Sequence, residues 1–402
     1  MFKNLSLKVI IFGFIFTFFS SFGQSFFLGI FNSSIRNELS ISHGQFGSIY
    51  ASATLLSSFL LIWVGKKIDD INISKFAFFV ILLLSFSCFF FSKISSILYL
   101  FFAIFLMRFS GQGMMSHTAS TTISRYFTKS RGKALSAGWF GLSTAEFILP
   151  ILIIYFLTIT DWRNIWMTIS ILVIVFLPLA SYILVKKLNF ESREFIENEN
   201  FKEANVKQWQ RIEVIKDFRF YIICANMLAM PWIATGIFIY QSFITSSKNW
   251  GPYVIAQSFM VYSILSVITL FIAGFLIDKF TSRKLLIYMN IPLLMAVIVI
   301  FYFNNPISSL VFLGLIGISN GFANVLGSST WAEIYGVKYI GSIKALTTAL
   351  MVFSTAFGTA LFGILIDSGF SIEQISIIAG IYIFISLISL FFIRKRLNPI
   401  II

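Results

Sequence analysis

The chain has 402 residues, 58% of them hydrophobic and only 11% charged, whereas soluble domains carry about 25% charged residues. This excludes a water-soluble enzyme or binding module and leaves room for about a dozen membrane spans of about 20 residues each. The formal net charge of +14 lies mostly in alternate loops, so it marks topology and excludes a nucleic-acid partner.

In chain order, apolar length and flanking charge predict α1 over about 9–31, α2 over 45–65, α3 over 76–92, α4 over 97–122, α5 over 134–157 and α6 over 164–185. Lys3 and Lys8 precede α1, which reads as an uncleaved first span. Ser20, Gln24, Phe27 and Phe31 form one stripe of it on a regular helix. After α2 comes the loop Gly65-Lys66-Lys67-Ile68-Asp69-Asp70, closing at Lys75.

Near the middle of α4 lies Arg108, where a cation costs about 2.5–3.5 kcal/mol on insertion scales. It shares a face with Gly111, Gln112, Met115, Ala119 and Thr122, a stripe polar enough to line a wet cavity. Arg108 either faces a substrate or is a structural or snorkelling cation. His117 falls on the opposite side of α4 and reads as a packed, neutral histidine. Glu146 is the one carboxylate well inside a span, in α5. Three roles stand open for it: a proton carrier, a partner for Arg108, or a structural polar group.

A charged linker over about 186–217 separates the halves, which predicts domains at 1–185 and 218–402. Its later part, with Trp209, Ile212 and Ile215 spaced by three, has the pattern of a surface amphipathic helix, but the main expectation for the linker is a solvated connector. The second half then repeats the first: α7 over about 219–244, α8 252–277, α9 285–303, α10 309–331, α11 345–366 and α12 374–393. Asn226, Tyr240 and Gln241 are the polar candidates of α7, and Asn320, Asn324, Gly327 and Trp331 form a stripe on α10. Gly274, Asp278 and Lys284 repeat Gly65, Asp69 and Lys75 at a constant offset of 209 positions, as Tyr335 and Gly341 repeat Tyr126 and Gly132. A duplicated bundle follows.

Lys and Arg concentrate in the loops at 66–75, 125–133, 186–219, 279–284, 338–344 and 394–396, while the intervening loops hold only Arg36, Lys93, Arg163 and Lys248. This asymmetry places both termini in the cytoplasm. Cys88 and Cys224 lie in apolar runs and read as reduced core residues. Two histidines, no cysteine pair and no carboxylate cluster within the membrane predict no metal site, no hydrolytic triad and no cofactor. No glycine-rich phosphate loop of an ATP-driven pump is present.

The repeated Gly-x-x-x-Asp loop followed by Lys/Arg resembles the signature loop of the major facilitator superfamily of transporters. The runs Arg125–Lys133 and Trp331–Gly336 look most like its bacterial monocarboxylate and oxalate/formate branch. The resemblance implies an all-α membrane protein of twelve transmembrane helices in two pseudo-symmetric six-helix bundles, with α1, α4, α7 and α10 lining a central cavity. It departs from the family at α4, where the glycines are Gly111 and Gly113, and at α5, where a second glycine-proline pair is missing.

The expected function is secondary active transport of a small organic anion such as a monocarboxylate, by alternating access coupled to a proton or sodium gradient, with no enzymatic activity. Arg108, Gln112, Gln24, Asn226, Tyr240, Asn320 and Asn324 are the substrate-binding candidates, and Glu146 is the coupling candidate. Gly65, Asp69, Arg131, Gly274 and Asp278 are the gating candidates, because carboxylates suit helix N-termini. The alternative is a proton-coupled efflux antiporter for amphipathic drugs; neutral solutes come next, and a sensor or membrane enzyme would need a soluble domain. The expected setting is the bacterial inner membrane, with the protein functional as a monomer.

Overall fold

The computed structural model describes residues 2–68, 70–127, 131–185, 207–336 and 338–398. Twelve helices among them are long and apolar enough to cross a membrane: α1 Ser6–Gly23, α2 His43–Ile68, α3 Ile73–Phe91, α4 Ile97–Tyr126, α5 Lys133–Leu157, α6 Trp162–Val185, α7 Phe218–Ile239, α8 Pro252–Ile277, α9 Ser282–Tyr302, α10 Pro306–Tyr335, α11 Ile343–Asp367 and α12 Ile372–Leu397. In hydrocarbon a helix satisfies its own backbone, so the irregular ends carry the burden of capping. Ser42 and Gln45 form a capping box at the start of α2, and Ser371 and Gln374 form another at α12. Asn72 and Ser96 cap α3 and α4 through their side chains.

The chain divides into two compact units, Met1–Phe195 with Phe238–Ser242, and Ile196–Ile237 with Phe243–Ile402. Much of the predicted linker lies outside the described residues. Its end packs into the second unit instead of standing free in solvent. There the Trp209 N–H donates to Tyr335 O at 3.0 Å, and the short helix Arg211–Lys216 buries Val214 in a core with Phe220, Trp331 and Tyr335. Ile212 and Ile215 point outward. The spacing of three therefore does not mark the buried face. Lys207 and the Gln210 backbone N–H hold the Glu213 carboxyl below its usual range, the backbone bond being the larger cause.

In the first unit α1 and α5 touch backbone to backbone. Thr17 Oγ1 donates to Gly138 O at 2.6 Å, and a Cβ on Gly141 would lie 2.0 Å from Phe14 O and 2.5 Å from Thr17 Oγ1. Neither neighbour is the free end of a flexible side chain. Gly141→Ala should therefore pry the two helices apart and lower the thermal midpoint by roughly 5 °C or more, because overpacking costs about 1–3 kcal/mol or more. Fluorescence-detected thermal unfolding checks this; an unchanged midpoint would show that α5 slides freely on α1. Ser85 and Ser170 join α3 to α6 by reciprocal bonds of 3.0 and 2.8 Å to each other's carbonyls.

In the second unit α8 and α10 pack equally closely, since Cβ atoms on Gly317 and Gly321 would meet Tyr262 O at 2.3 Å and Ser266 O at 2.6 Å. α9 is interrupted at Asn290, whose Nδ2 donates to Asn226 O at 2.6 Å. On the basic face Glu333 accepts from Ser282 N at 2.8 Å and pairs with Arg283 Nε at 3.1 Å, which places a carboxylate at the α9 N-terminus.

The two copies of the repeated loop are not built alike. Gly65 opens a 3-10 turn, Gly65–Ile68, that ends α2, whereas Gly274 sits inside one continuous helix, Pro252–Phe280. A Cβ on Gly274 would meet nothing within 4 Å. Gly274 thus serves no close helix approach among the described residues. At Gly65 the Cβ position is 3.4 Å from His117 Nε2, and that nitrogen donates to Gly65 O at 3.0 Å.

Candidate functional site

The site is built on two departures from regular helix that meet. α1 is helical from Phe2 to Ser20, tightens to a 3-10 turn at Ser21–Gly23, becomes extended at Gln24 (φ −84°, ψ 152°) and resumes at Ser25. α4 is π-helical over Arg108–Met115. A Cβ on Gly23 would lie 2.3 Å from Met107 O and 2.4 Å from Gln112 N, and one on Gly111 would lie 2.7 Å from Gly23 N. The two backbones cross with no room for a side chain. The counterpart of α4 in the second unit, α10, is a regular helix throughout.

The extended Gln24 leaves the Gly23 carbonyl without a helical donor, and Arg108 supplies one. Its Nη1 donates to Gly23 O at 3.0 Å, the residue is 3% exposed, and Nε has no partner among the described residues. The guanidinium carbon lies 5.3 Å from the ring centre of Tyr50 on α2, a cation–π contact, and the Tyr50 hydroxyl is buried without a partner. No ion pair among the described residues involves Arg108. Its cationic charge is thus held in the interior by a carbonyl and an aromatic face, with hydrogen-bonding capacity left over.

Gln24 and Gln112 flank the same crossing and are half-buried. The register set by Gly138 and Gly141 brings Ala145 and Glu146, about one turn further along α5, level with the break in α1. Glu146 is 9% exposed. It has no hydrogen bond or ion pair among the described residues, so it is not the partner of Arg108. Ser21 Oγ, in the break itself, is also buried without a partner. The first unit therefore brings together Arg108, Gln112 and Gln24, with Glu146 at their depth.

Phe27 and Phe31, expected in the α1 stripe, are fully buried instead. They pack on Trp166 of α6 with ring centres 5.4 and 5.1 Å away, because the break at Gln24 rotates everything after it. Tyr240 is fully buried in the segment that belongs to the first unit, its hydroxyl donating to His43 O at 2.8 Å. Gln241 in the same segment donates to Phe26 O at 2.8 Å.

In the second unit the expected stripe on α10 divides. Asn320 Nδ2 donates to Ser266 Oγ of α8 at 3.0 Å, Asn324 and Gly327 are exposed, and Trp331 is buried in the core at the basic end. Asn226 is fully buried, and both polar atoms of its side chain are without partners among the described residues. Among the gating candidates Asp69 lies outside the described residues. Arg131 begins the helix of α5 and Asp278 lies within that of α8; their side chains are outside what is described. Arg125 Nη1, at the end of α4, donates to Ile68 O at 3.0 Å.

Sequence reasoning missed Tyr50. A tyrosine in an aromatic-rich apolar helix carries no local signal, and only the packing of α2 on α4 sets it beside Arg108. Cys88 and Cys224 are free and buried, and no cluster of three or more metal-ligating side chains occurs among the described residues.

Comparison with known proteins bears on this architecture. The family model described as Major Facilitator Superfamily matches residues 13–242 and 221–400. The crystal structure of a bacterial homolog to the human lysosomal transporter Spinster, in an inward-facing and occupied conformation, is similar with a TM-score of 0.71 at 13% identity, over 98% of this chain and 97% of that one. The crystal structure of the nucleoside transporter NupG is similar with a TM-score of 0.71 at 13% identity, over 98% and 99%. No curated protein matches the chain.

Proposed function

The chain belongs to the Major Facilitator Superfamily, and from that premise we propose that it moves a small organic anion, such as a monocarboxylate, by alternating access in symport with protons. Membership of that family and twelve helices long and apolar enough to cross a membrane support a multi-pass membrane transporter. The observation that carries the substrate class is Arg108: a buried guanidinium that has no acidic partner among the described residues and whose Nε is unbonded among them. A planar fork in a low-dielectric setting matches a carboxylate, and a carboxylate there offsets the cost of the isolated cation.

Glu146 supplies the coupling in this reading. When it is ionised, its charge at the depth of Arg108 competes with an incoming anion. When it is protonated, Arg108 alone sets the local field. Anion and proton then bind together. An efflux antiporter for cationic drugs would use the same carboxylate, but Arg108 at that depth repels its substrate. The inner membrane of a bacterium is the setting this reading assigns.

Thermal-shift measurement of the purified protein against monocarboxylates, nucleosides, sugars and cationic dyes tests the class. A ligand at a hundred times its Kd stabilises by about 2.7 kcal/mol, a shift of several degrees. Stabilisation by monocarboxylates is expected; stabilisation by nucleosides or dyes and not by carboxylates would overturn the anion assignment.

A further inference from the structure

The four cations on the face opposite the basic loops are Arg36, Lys93, Arg163 and Lys248. Two of them form matching structures in the two units. In the first unit Arg163, at the start of α6, pairs with Glu38 beyond α1 and donates to Ile94 O in the α3–α4 turn. Trp162 Nε1 donates to the same Glu38 at 3.2 Å. In the second unit Lys248, beyond α7, pairs with Glu373 at the start of α12 at 2.7 Å and donates to Asn304 Oδ1 in the α9–α10 turn, also at 2.7 Å. Trp250 Nε1 donates to Asn304 O at 2.7 Å.

The three positions correspond one to one. Glu38 and Lys248, Arg163 and Glu373, and Ile94 and Asn304 are each 210 residues apart. Acid and base have changed places between the halves. In the first unit the carboxylate follows the first helix and the cation opens the sixth; in the second unit the cation follows and the carboxylate opens.

We infer that these are rim staples, positioning residues that tie the end of the first helix of each unit to its sixth helix and to the turn between its third and fourth. The rim requires an ion pair at these points but is indifferent to its direction. A tied pair is also electrically neutral, which explains how cations persist on the face where topology disfavours them. The Lys248 side chain is 0% exposed against 29% for Arg163, so loss of a partner leaves a buried uncompensated charge in the second unit and a half-solvated one in the first.

The test is reversal of the pair in the full-length protein. Lys248→Glu and Glu373→Lys singly should each lower the thermal midpoint by roughly 5–10 °C, and the double reversal should recover more than half of that loss. Asn304 accommodates either sign, because its amide rotates to present a donor or an acceptor. Glu38→Lys with Arg163→Glu is the milder counterpart, with a smaller loss and a smaller but measurable recovery, because the reversed pair restores the ion pair and not the bonds to Ile94 O and Trp162 Nε1; it stays informative if a single reversal in the second unit does not fold. Single variants at wild-type midpoints in both units, or double reversals no better than the singles, would overturn the inference. These readouts need no substrate, so they stand or fall apart from the organic-anion reading.

Discussion

Arg108→Ala protein that folds should lose carboxylate binding by at least a hundredfold, while Arg108→Lys should keep a weak residue of it. Removing one member of a buried charge pair costs about 3–5 kcal/mol, and each 1.4 kcal/mol is tenfold in affinity. Lysine retains the charge but not the planar fork. The structure adds a second, separable loss. Arg108 Nη1 is the donor to Gly23 O at 3.0 Å, so alanine also leaves a buried carbonyl unpaired at the break in α1, at a cost of about 1–3 kcal/mol in stability. Thermal unfolding without ligand measures the second loss; titration of folded protein with a monocarboxylate measures the first. A variant that is less stable yet binds carboxylate with wild-type affinity would make Arg108 a strut for α1 and nothing more. Tyr50→Phe is the companion variant. It keeps the ring that the guanidinium faces at 5.3 Å and removes only the unpartnered hydroxyl, so a fall in affinity with an unchanged midpoint places that hydroxyl on the substrate.

Glu146→Gln should uncouple transport from the proton gradient while leaving anion exchange intact. Glutamine is a standing mimic of the protonated acid, and Glu146 makes no bond among the described residues that the amide would break. In liposomes, accumulation of a monocarboxylate driven by an imposed pH gradient should vanish, whereas counterflow at equal pH on both sides should persist. Binding should also lose its dependence on pH. The sign follows from charge: ionising wild-type Glu146 places a negative charge at the depth of Arg108, so wild-type affinity falls as pH rises through its titration and the Gln variant stays at the low-pH level. Gradient-driven accumulation by Glu146→Gln protein would assign the proton to another group.

Most of the architecture was legible because it depends on averages. Span number, the alternation of basic loops and the duplication survive small errors in any single helix, since hydropathy is summed over about 20 residues and loop charge over whole loops. The face assigned to a residue has no such protection. It assumes 3.6 residues per turn from one end of a helix to the other. The π-helical stretch of α4 and the one extended residue in α1 turn what lies beyond them out of that register. The assignments nearest the break, Arg108, Gln112 and Gln24, kept their neighbourhood, while Phe27 and Phe31 turned into the core around Trp166.

The sequence by itself determined a twelve-span duplicated membrane protein and singled out Arg108 and Glu146, because an ionisable group amid apolar residues is conspicuous at any register. Only the tertiary structure decided what those groups meet. It gave Arg108 the Gly23 carbonyl and the Tyr50 ring in place of Glu146, set Asn226 and Trp331 in the interior, and matched Lys248 with Glu373 across 125 residues. Such contacts depend on where two backbones can touch, at Gly23 on Gly111 and at Gly141 on Phe14. Close approach is a property of two helices at once, and neither helix carries a record of its partner in its own periodicity.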